Sequence, residues 1–97
     1  MSYDMQIGDL HFNYTYNVSE MWYAAMPDKG IRCIYGLTGR DAVRPLRQIR
    51  EYMEDNRTEM LALEPENGWG SYEGALQFVN DLIMVSLKIP DEIWFGD

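Results

Sequence analysis

Apolar and polar residues alternate strictly near the start of the chain, which is the pattern of a strand with one buried face. The apolar positions are Leu10, Phe12, Tyr14 and Tyr16. They predict a strand over residues 10–16, and the residues before them predict another over 3–7. Gly8-Asp9 between them suits a tight type II′ turn, because glycine tolerates the positive φ of its first position. The chain is therefore expected to open with a β-hairpin.

The polar run 17–20 ends this alternation and offers a helix cap. The cap is either Asn17 with Glu20 three residues on, or Ser19 alone. We expect a short helix over residues 20–26, ended by Pro27, which cannot continue a helix. Residues 28–39 place glycines between apolar anchors and predict a packed loop with at most one helical turn.

Helical periodicity follows in a segment that begins at a cap, Thr38 or Asp41, and ends near Asp55. Its apolar stripe comprises Ala42, Val43, Leu46, Ile49 and Met53. Pro45 lacks an N–H and suits only a first turn, so either the helix proper begins near Arg44 or the segment opens as a bent turn. Residues 56–63 are compatible with a further short helix.

The most regular helical pattern follows Ser71, which is predicted to cap a third helix with Glu73 in its first turn. The apolar face of this helix is predicted to comprise Ala75, Leu76, Val79, Leu82, Ile83 and Leu87. Pro90 ends it, and the apolar run 92–95 predicts a last strand that joins the hairpin. The expected fold is a single α+β domain over residues 1–97. In it a small antiparallel sheet, made of the N-terminal hairpin and a C-terminal strand, is packed by three helices.

The segment 64–74, E-P-E-N-G-W-G-S-Y-E-G, is a predicted loop because its proline and glycines interrupt any regular period. It nevertheless carries Trp69 and Tyr72, which a loop cannot bury by itself. The favoured interpretation is that Trp69 fills the end of the core. The alternative is an exposed patch of Asn67, Trp69 and Tyr72 beside Glu73 at a helix N-terminus, suited to an anion or a partner protein.

Charge and composition narrow the class of protein. Sixteen acidic against eight basic residues give a net charge of -8, which opposes attraction to nucleic acid and to anionic membranes and favours basic partners. The hydrophobic fraction of 46% is high enough to predict folding rather than disorder. No apolar run is long enough to span a membrane. The single Cys33 and the lack of a signal-peptide pattern predict a reducing, cytoplasmic setting.

Catalytic signatures are sparse. His11 is the only histidine and Cys33 the only cysteine, too few for a zinc site or for the usual nucleophile and base. A carboxylate pair among Glu64, Glu66 and Glu73 is conceivable, but with sixteen acids such neighbours are expected on a solvated surface. The sequence therefore predicts no enzyme activity, no metal and no cofactor.

Basic residues are concentrated in one place. Five of the eight lie in or beside the second helix: Arg40, Arg44, Arg47, Arg50 and Arg57. Helical spacing places the first three on one face. One interpretation is pairing within the chain, with Glu51, Glu54, Asp55 and other acids. The other is a docking face for an acidic partner or a phosphate.

Three blocks of the chain resemble a group of small phage and prophage proteins with no assigned activity. They are NYTYNVSEMW at residues 13–22, GLTGRDAV at 36–43 and EPENGWGSYEGA at 64–75. The resemblance spans most of the chain. It implies a phage-type accessory protein but transfers no catalytic or binding residue.

Small acidic phage proteins often bind and block a host factor, so the resemblance implies an inhibitor as the first hypothesis. It would be anti-CRISPR-like or DNA-mimic-like, with a basic, nucleic-acid-binding host protein as partner. The second hypothesis is a small-ligand binder or enzyme built on the 67–73 loop. The third is a structural or assembly protein. A homo-oligomer formed through Trp22, Tyr23, Trp94 and Phe95 would indicate that role.

Overall fold

The alternating residues at the start of the chain form the expected hairpin. In the computed structural model, which describes residues 1–97, β1 covers Ser2–Ile7 and β2 covers Leu10–Thr15. Gly8 has a φ of 57°, and no residue other than glycine has a positive φ, as a type II′ turn requires. Ile7 pairs with Leu10 across the turn, and the strands run in register without a bulge.

The C-terminal strand joins this hairpin as predicted. β3 covers Trp94–Gly96 and pairs antiparallel with β1, so the strand order is β2-β1-β3. It begins two residues later than expected, because Glu92 and Ile93 instead contact the start of the helix that begins at Gly39. The Glu92 carbonyl accepts from Gly39 N at 2.8 Å, and Ile93 forms a β-bridge with Thr38.

Helices pack on the sheet face that carries Tyr3, Met5 and Ile7, all of which are buried. They are α1 (Ser19–Ala25), α2 (Gly39–Asp55), α3 (Arg57–Ala62) and α4 (Tyr72–Lys88). Short 3₁₀ helices cover Tyr16–Val18 and Gly30–Ile34, the second being the single turn expected in the loop before α2. The predicted α+β architecture is therefore confirmed, with the helix-compatible stretch 56–63 forming α3.

The two long helices have the predicted caps. Thr38 Oγ1 accepts from Asp41 N at 3.2 Å, and Ser71 Oγ accepts from Gly74 N at 2.9 Å. Pro45, however, lies inside α2, so the alternatives inferred from it, a helix that begins near Arg44 or a segment that opens as a bent turn, were wrong. The helix begins at Gly39, five residues before Arg44, because its first N–H groups find acceptors: Gly39 N donates to Glu92 O and Arg40 N to Pro90 O.

Gly39 permits this close approach between the start of α2 and the end of α4. A Cβ at Gly39 would lie 2.6 Å from the backbone oxygen of Ser86. The two ends are therefore in direct backbone contact. At the other end of the pair, the Tyr72 hydroxyl donates to Met53 O at 3.1 Å. The helices α2 and α4 are consequently antiparallel.

The predicted cap of α1 was wrong. Val18 precedes this helix and makes no side-chain cap, because the 3₁₀ helix 16–18 runs directly into it. Thr15 caps that 3₁₀ helix by accepting from Asn17 N at 3.2 Å. The Ser19 hydroxyl donates to Tyr16 O at 2.6 Å, so it binds the preceding turn instead of capping α1.

A single cluster of buried side chains joins the sheet to the helices. The whole predicted stripe of α2 is buried. On α4 the prediction was wrong at Leu87, which is exposed, whereas Phe78 and Ser86 are buried. Trp22 and Trp94 lie in the core, so they cannot form the predicted oligomer contact with Tyr23 and Phe95. The radius of gyration of 12.5 Å is that of a compact chain of this length. None of the helices has the length and apolar character that crossing a membrane would require.

The end of β3 is held by an aromatic and ionic network. The Arg32 guanidinium lies 4.7 Å from the Tyr3 ring centroid, and its Nε donates to Asp97 O at 2.9 Å. The Tyr16 hydroxyl donates to Asp97 Oδ2 at 2.9 Å. Burial alone would raise the pKa of Asp97, but hydrogen bonds from Tyr16 and from Asp4 N, together with the charge of Arg32, lower it. Burial raises the pKa of the nearby Tyr35 to about 12.

Candidate functional site

Trp69 lies on the surface, with 69% of its area exposed, so the interpretation that it fills the core was wrong. The space beneath the loop is already occupied by packed aromatic rings. The ring centroids of Tyr14 and Phe78 lie 5.6 Å apart, and so do those of Phe78 and Trp22. The loop buries Tyr72 instead. An exposed tryptophan in a chain with a filled core is the first feature that points to binding.

The loop that carries Trp69 is fixed by hydrogen bonds from both sides. Asn67 Oδ1 accepts from Trp69 N at 2.9 Å, which closes an Asx turn. The Tyr14 hydroxyl accepts from Ser71 N at 3.3 Å, and Glu64 Oε2 accepts from Tyr72 N at 2.7 Å. The indole is therefore presented by an ordered backbone, which reduces the entropy lost on binding.

Gly70 brings this loop against the end of β2. Its φ is 101°, and a Cβ there would lie 2.7 Å from Thr15 Cγ2 and 2.8 Å from Val18 Cγ1. Only glycine allows the loop to approach so closely. Trp69 consequently stands beside the end of β2.

A shallow hollow of about 610 Å³ lies next to Trp69. It is lined by Met1, Ser2, Asn13, Tyr14, Thr15, Asn17, Trp69 and Gly70. Its polar side chains carry hydroxyls and amides, and Met1, which also lines it, carries the N-terminal ammonium. An aromatic face beside such donors and acceptors suits a polypeptide surface.

The other residues predicted for the loop site have structural positions. The Asn67 side-chain oxygen accepts from Trp69 N, whereas Asn67 itself is exposed; Tyr72 is buried, so it is not free to contact a ligand. Glu73 is exposed in the first turn of α4. Sequence reasoning missed the anchoring roles of Glu64 and Tyr14, because Tyr14 is 57 residues from its partner and no local pattern links them.

The arginines of α2 do not form the predicted pairs with Glu51, Glu54 and Asp55. Arg40 does pair within the chain, with one of the other acids that this interpretation allowed, Asp91, at 2.8 Å. Arg44 and Arg47 are exposed and make no ion pair within 4.0 Å. Two further arginines contact neutral groups: Arg50 Nη1 donates to Asn80 Oδ1 at 3.2 Å, and the Arg57 guanidinium lies 5.8 Å from the Tyr72 ring centroid.

The two predicted sites lie at opposite ends of the α2–α4 pair. Arg40 is beside Pro90, at the C-terminal end of α4, whereas the Trp69 loop precedes the N-terminus of α4. A helix of 17 residues is about 25 Å long. The loop and the arginine face therefore form separate surfaces and cannot contact one small ligand together.

Negative charge is displayed over most of the molecule. Every aspartate and glutamate except Glu64 is exposed. Only Asp91 and Asp97 have a basic side chain within 4.0 Å. The charge of -8 is therefore largely uncompensated at the surface.

The two residues considered for nucleophilic chemistry lie in different environments. His11 is exposed on the outer face of the sheet, whereas Cys33 lies in the 3₁₀ helix before α2 and is half-buried. Burial raises the pKa of the Cys33 thiol, which lowers its thiolate fraction at neutral pH. No group of three or more metal-ligating side chains is assembled anywhere in the chain.

A second surface, not found by sequence reasoning, lies between β2 and α4. The groove is about 510 Å³ and is lined by Phe12, Asp81, Met84, Val85, Leu87 and Lys88. Met84 is 70% exposed and Leu87 55%, although both are large and apolar. The groove was missed because helical periodicity identifies an apolar face but not the neighbour that covers it.

Comparisons of the chain with protein-family models, with curated proteins and with solved structures find no match.

Proposed function

We propose that this chain is a small acidic accessory protein of the phage type that binds a host protein and inhibits it, with Trp69 at the centre of the contact. The observation that carries the proposal is an indole that is 69% exposed on a loop fixed by three hydrogen bonds. Tryptophan is enriched among the residues that dominate binding energy, and a rigid side chain loses little entropy when it binds.

The partner class follows from charge. Exposed carboxylates around most of the surface repel acidic proteins and nucleic acid, and they attract a basic surface. A host protein that normally binds nucleic acid offers such a surface, and carboxylates occupying it would exclude the phosphates. The proposed mode of inhibition is therefore steric and electrostatic occupation of a basic groove, as in DNA-mimic and anti-CRISPR proteins.

Affinity capture from a bacterial lysate tests the contact, with wild type, Trp69→Ala and Phe95→Ala as three baits. Phe95 is a matched control because it is aromatic, 50% exposed and on another element, β3. We expect Trp69→Ala to lose at least about 2 kcal/mol of binding, whereas Phe95→Ala retains the partner. The purified partner is then assayed for its own activity with and without the wild-type chain.

Thermal unfolding of Trp69→Ala completes this test. Because the indole is largely in solvent, the variant should lose less than about 1 kcal/mol of stability, whereas a core tryptophan costs about 3–5. A large loss would show that Trp69 is buried in solution. Equal capture by all three baits would remove Trp69 from the interface.

A further inference from the structure

β2 is an edge strand whose outward backbone groups have no partner strand. Ile7 and Leu10 flank a two-residue turn, so the hydrogen-bonded pairs with β1 fall on Leu10, Phe12 and Tyr14. The N–H and C=O groups of His11 and Asn13 consequently point away from β1. No other strand lies on that side of the sheet. The edge is open to a further strand.

This edge lacks the usual protection against pairing. Exposed edges normally carry lysine, proline or a bulge. The sequence of β2, LHFNYT, contains neither of these residues, and its pairing with β1 is unbroken. The strand is also free of acidic residues, and none occurs from Leu10 to Ser19, although the chain as a whole carries a charge of -8.

A groove with exposed apolar side chains lies directly beside the edge. Phe12 of β2 and Met84, Val85 and Leu87 of α4 line the groove between strand and helix. Leu10, on the same side of the strand as Phe12, is 43% exposed. A strand added to β2 would therefore gain backbone hydrogen bonds and cover apolar side chains at the same time.

We propose that a second copy of this chain occupies the edge, so that β2 pairs antiparallel with β2 of the other copy and two three-stranded sheets become one of six strands. Only residues whose N–H and C=O groups point away from β1 can bond to the added strand. His11 and Asn13 of one copy therefore pair with His11 and Asn13 of the other. Leu10 and Phe12 of both copies then share one face. The surface is thus self-complementary, as a two-fold interface requires.

Charge selects this occupant. Two chains of charge -8 repel each other wherever carboxylates meet, and β2 itself carries none; in the groove beside it, the one carboxylate, that of Asp81, is accompanied by the ammonium of Lys88. Pairing is confined to the residues near the turn, because Gly70 packs against Thr15 at the other end of β2.

Sedimentation velocity and light scattering over a range of concentrations test the dimer. The expected species has twice the chain mass of 11.4 kDa, and its population should increase with salt, because screening reduces the repulsion between copies. Binding to a basic partner should have the opposite salt dependence. The Trp69→Ala variant should dimerise like the wild type, so failure of one proposal is distinguishable from failure of the other.

Two substitutions at Asn13 separate the contribution of its backbone N–H from that of its side chain. Asn13→Pro removes an N–H that points away from β1, and proline is tolerated on an edge strand. It should weaken dimerisation at least about tenfold, whereas Asn13→Ala, which keeps the N–H, should not. Leu87→Lys places a charge in the exposed groove and should also yield a monomer, so the test does not depend on folding of the proline variant.

Hydrogen exchange of the wild type locates the contact. The His11 and Asn13 amides should exchange more slowly as the concentration rises. A monomer under all conditions, a dimer unaffected by both Asn13→Pro and Leu87→Lys, or edge amides with no protection would overturn the inference. Protection that appears only with a captured host protein would assign the edge to a foreign strand and would likewise exclude the second copy.

Discussion

Trp94 is fully buried, and its indole N–H needs an acceptor within the core. Ser86 Oγ provides it at 2.9 Å and is the one buried polar residue of the chain. We expect Ser86→Ala to lower the free energy of unfolding by about 1–3 kcal/mol, because the N–H would remain desolvated and unpaired. Urea denaturation measures this change.

A double-mutant cycle separates that hydrogen bond from a simple packing effect. In a Trp94→Phe background there is no N–H to satisfy, so Ser86→Ala should cost clearly less than in the wild type. The same cost in both backgrounds would mean that Ser86 acts only by filling space.

At the residue scale, the sequence indicated that the loop needed a receiving surface but not which aromatic would use it. Trp69 and Tyr72 are both large and lie three positions apart. Tyr72 is the buried one, and its hydroxyl donates to Met53 O, whereas Tyr14 and Phe78 stack on each other rather than on Trp69. Those groups are distant in sequence, so no local pattern could have decided it.

The arginine face of α2 gives a prediction at the scale of one element. Replacing Arg40, Arg44 and Arg47 with alanine should leave the fold intact. The one ion pair among them joins side chains that are 66% and 88% exposed, and such pairs contribute about 0–1 kcal/mol. Thermal unfolding tests stability, and affinity capture tests docking.

The same variant decides whether this face binds a partner. The arginine face lies at the opposite end of the α2–α4 pair from Trp69. Removing three arginines also makes the chain more acidic, so the triple variant should still capture a basic partner. A partner captured by the wild type and lost by the triple variant would show instead that α2 docks an acidic protein.

Elements with a regular pattern of apolar residues were predictable from the sequence. Features that depend on contacts with residues distant in sequence were not. The hairpin, the buried stripe of α2 and the caps Thr38 and Ser71 all follow from local patterns. The early start of α2 depends on acceptors at Pro90 and Glu92, which no local pattern reveals.

At the scale of the whole molecule, acidic side chains are unevenly distributed along the chain. Carboxylates are exposed over most of the chain, whereas the stretch from Leu10 to Ser19 carries none. The net charge follows from composition alone. That the acid-free stretch forms the open edge of the sheet is known only from the folded structure. The two proposed interactions therefore use different physical forces, one long-ranged and electrostatic, the other short-ranged and apolar.

The electrostatic interaction gives the last prediction. Attraction between exposed carboxylates and a basic partner is screened over a Debye length of about 8 Å at physiological salt, so the association rate with the captured host protein should fall steeply as salt rises. The dissociation rate, which depends on short-range contacts such as that of Trp69, should change less. Stopped-flow or surface-based kinetics from low to high salt measure both rates. An association rate indifferent to salt, or a partner whose contacting face is acidic or apolar, would reject the carboxylate surface as the recognition element and leave the Trp69 loop to account for binding alone.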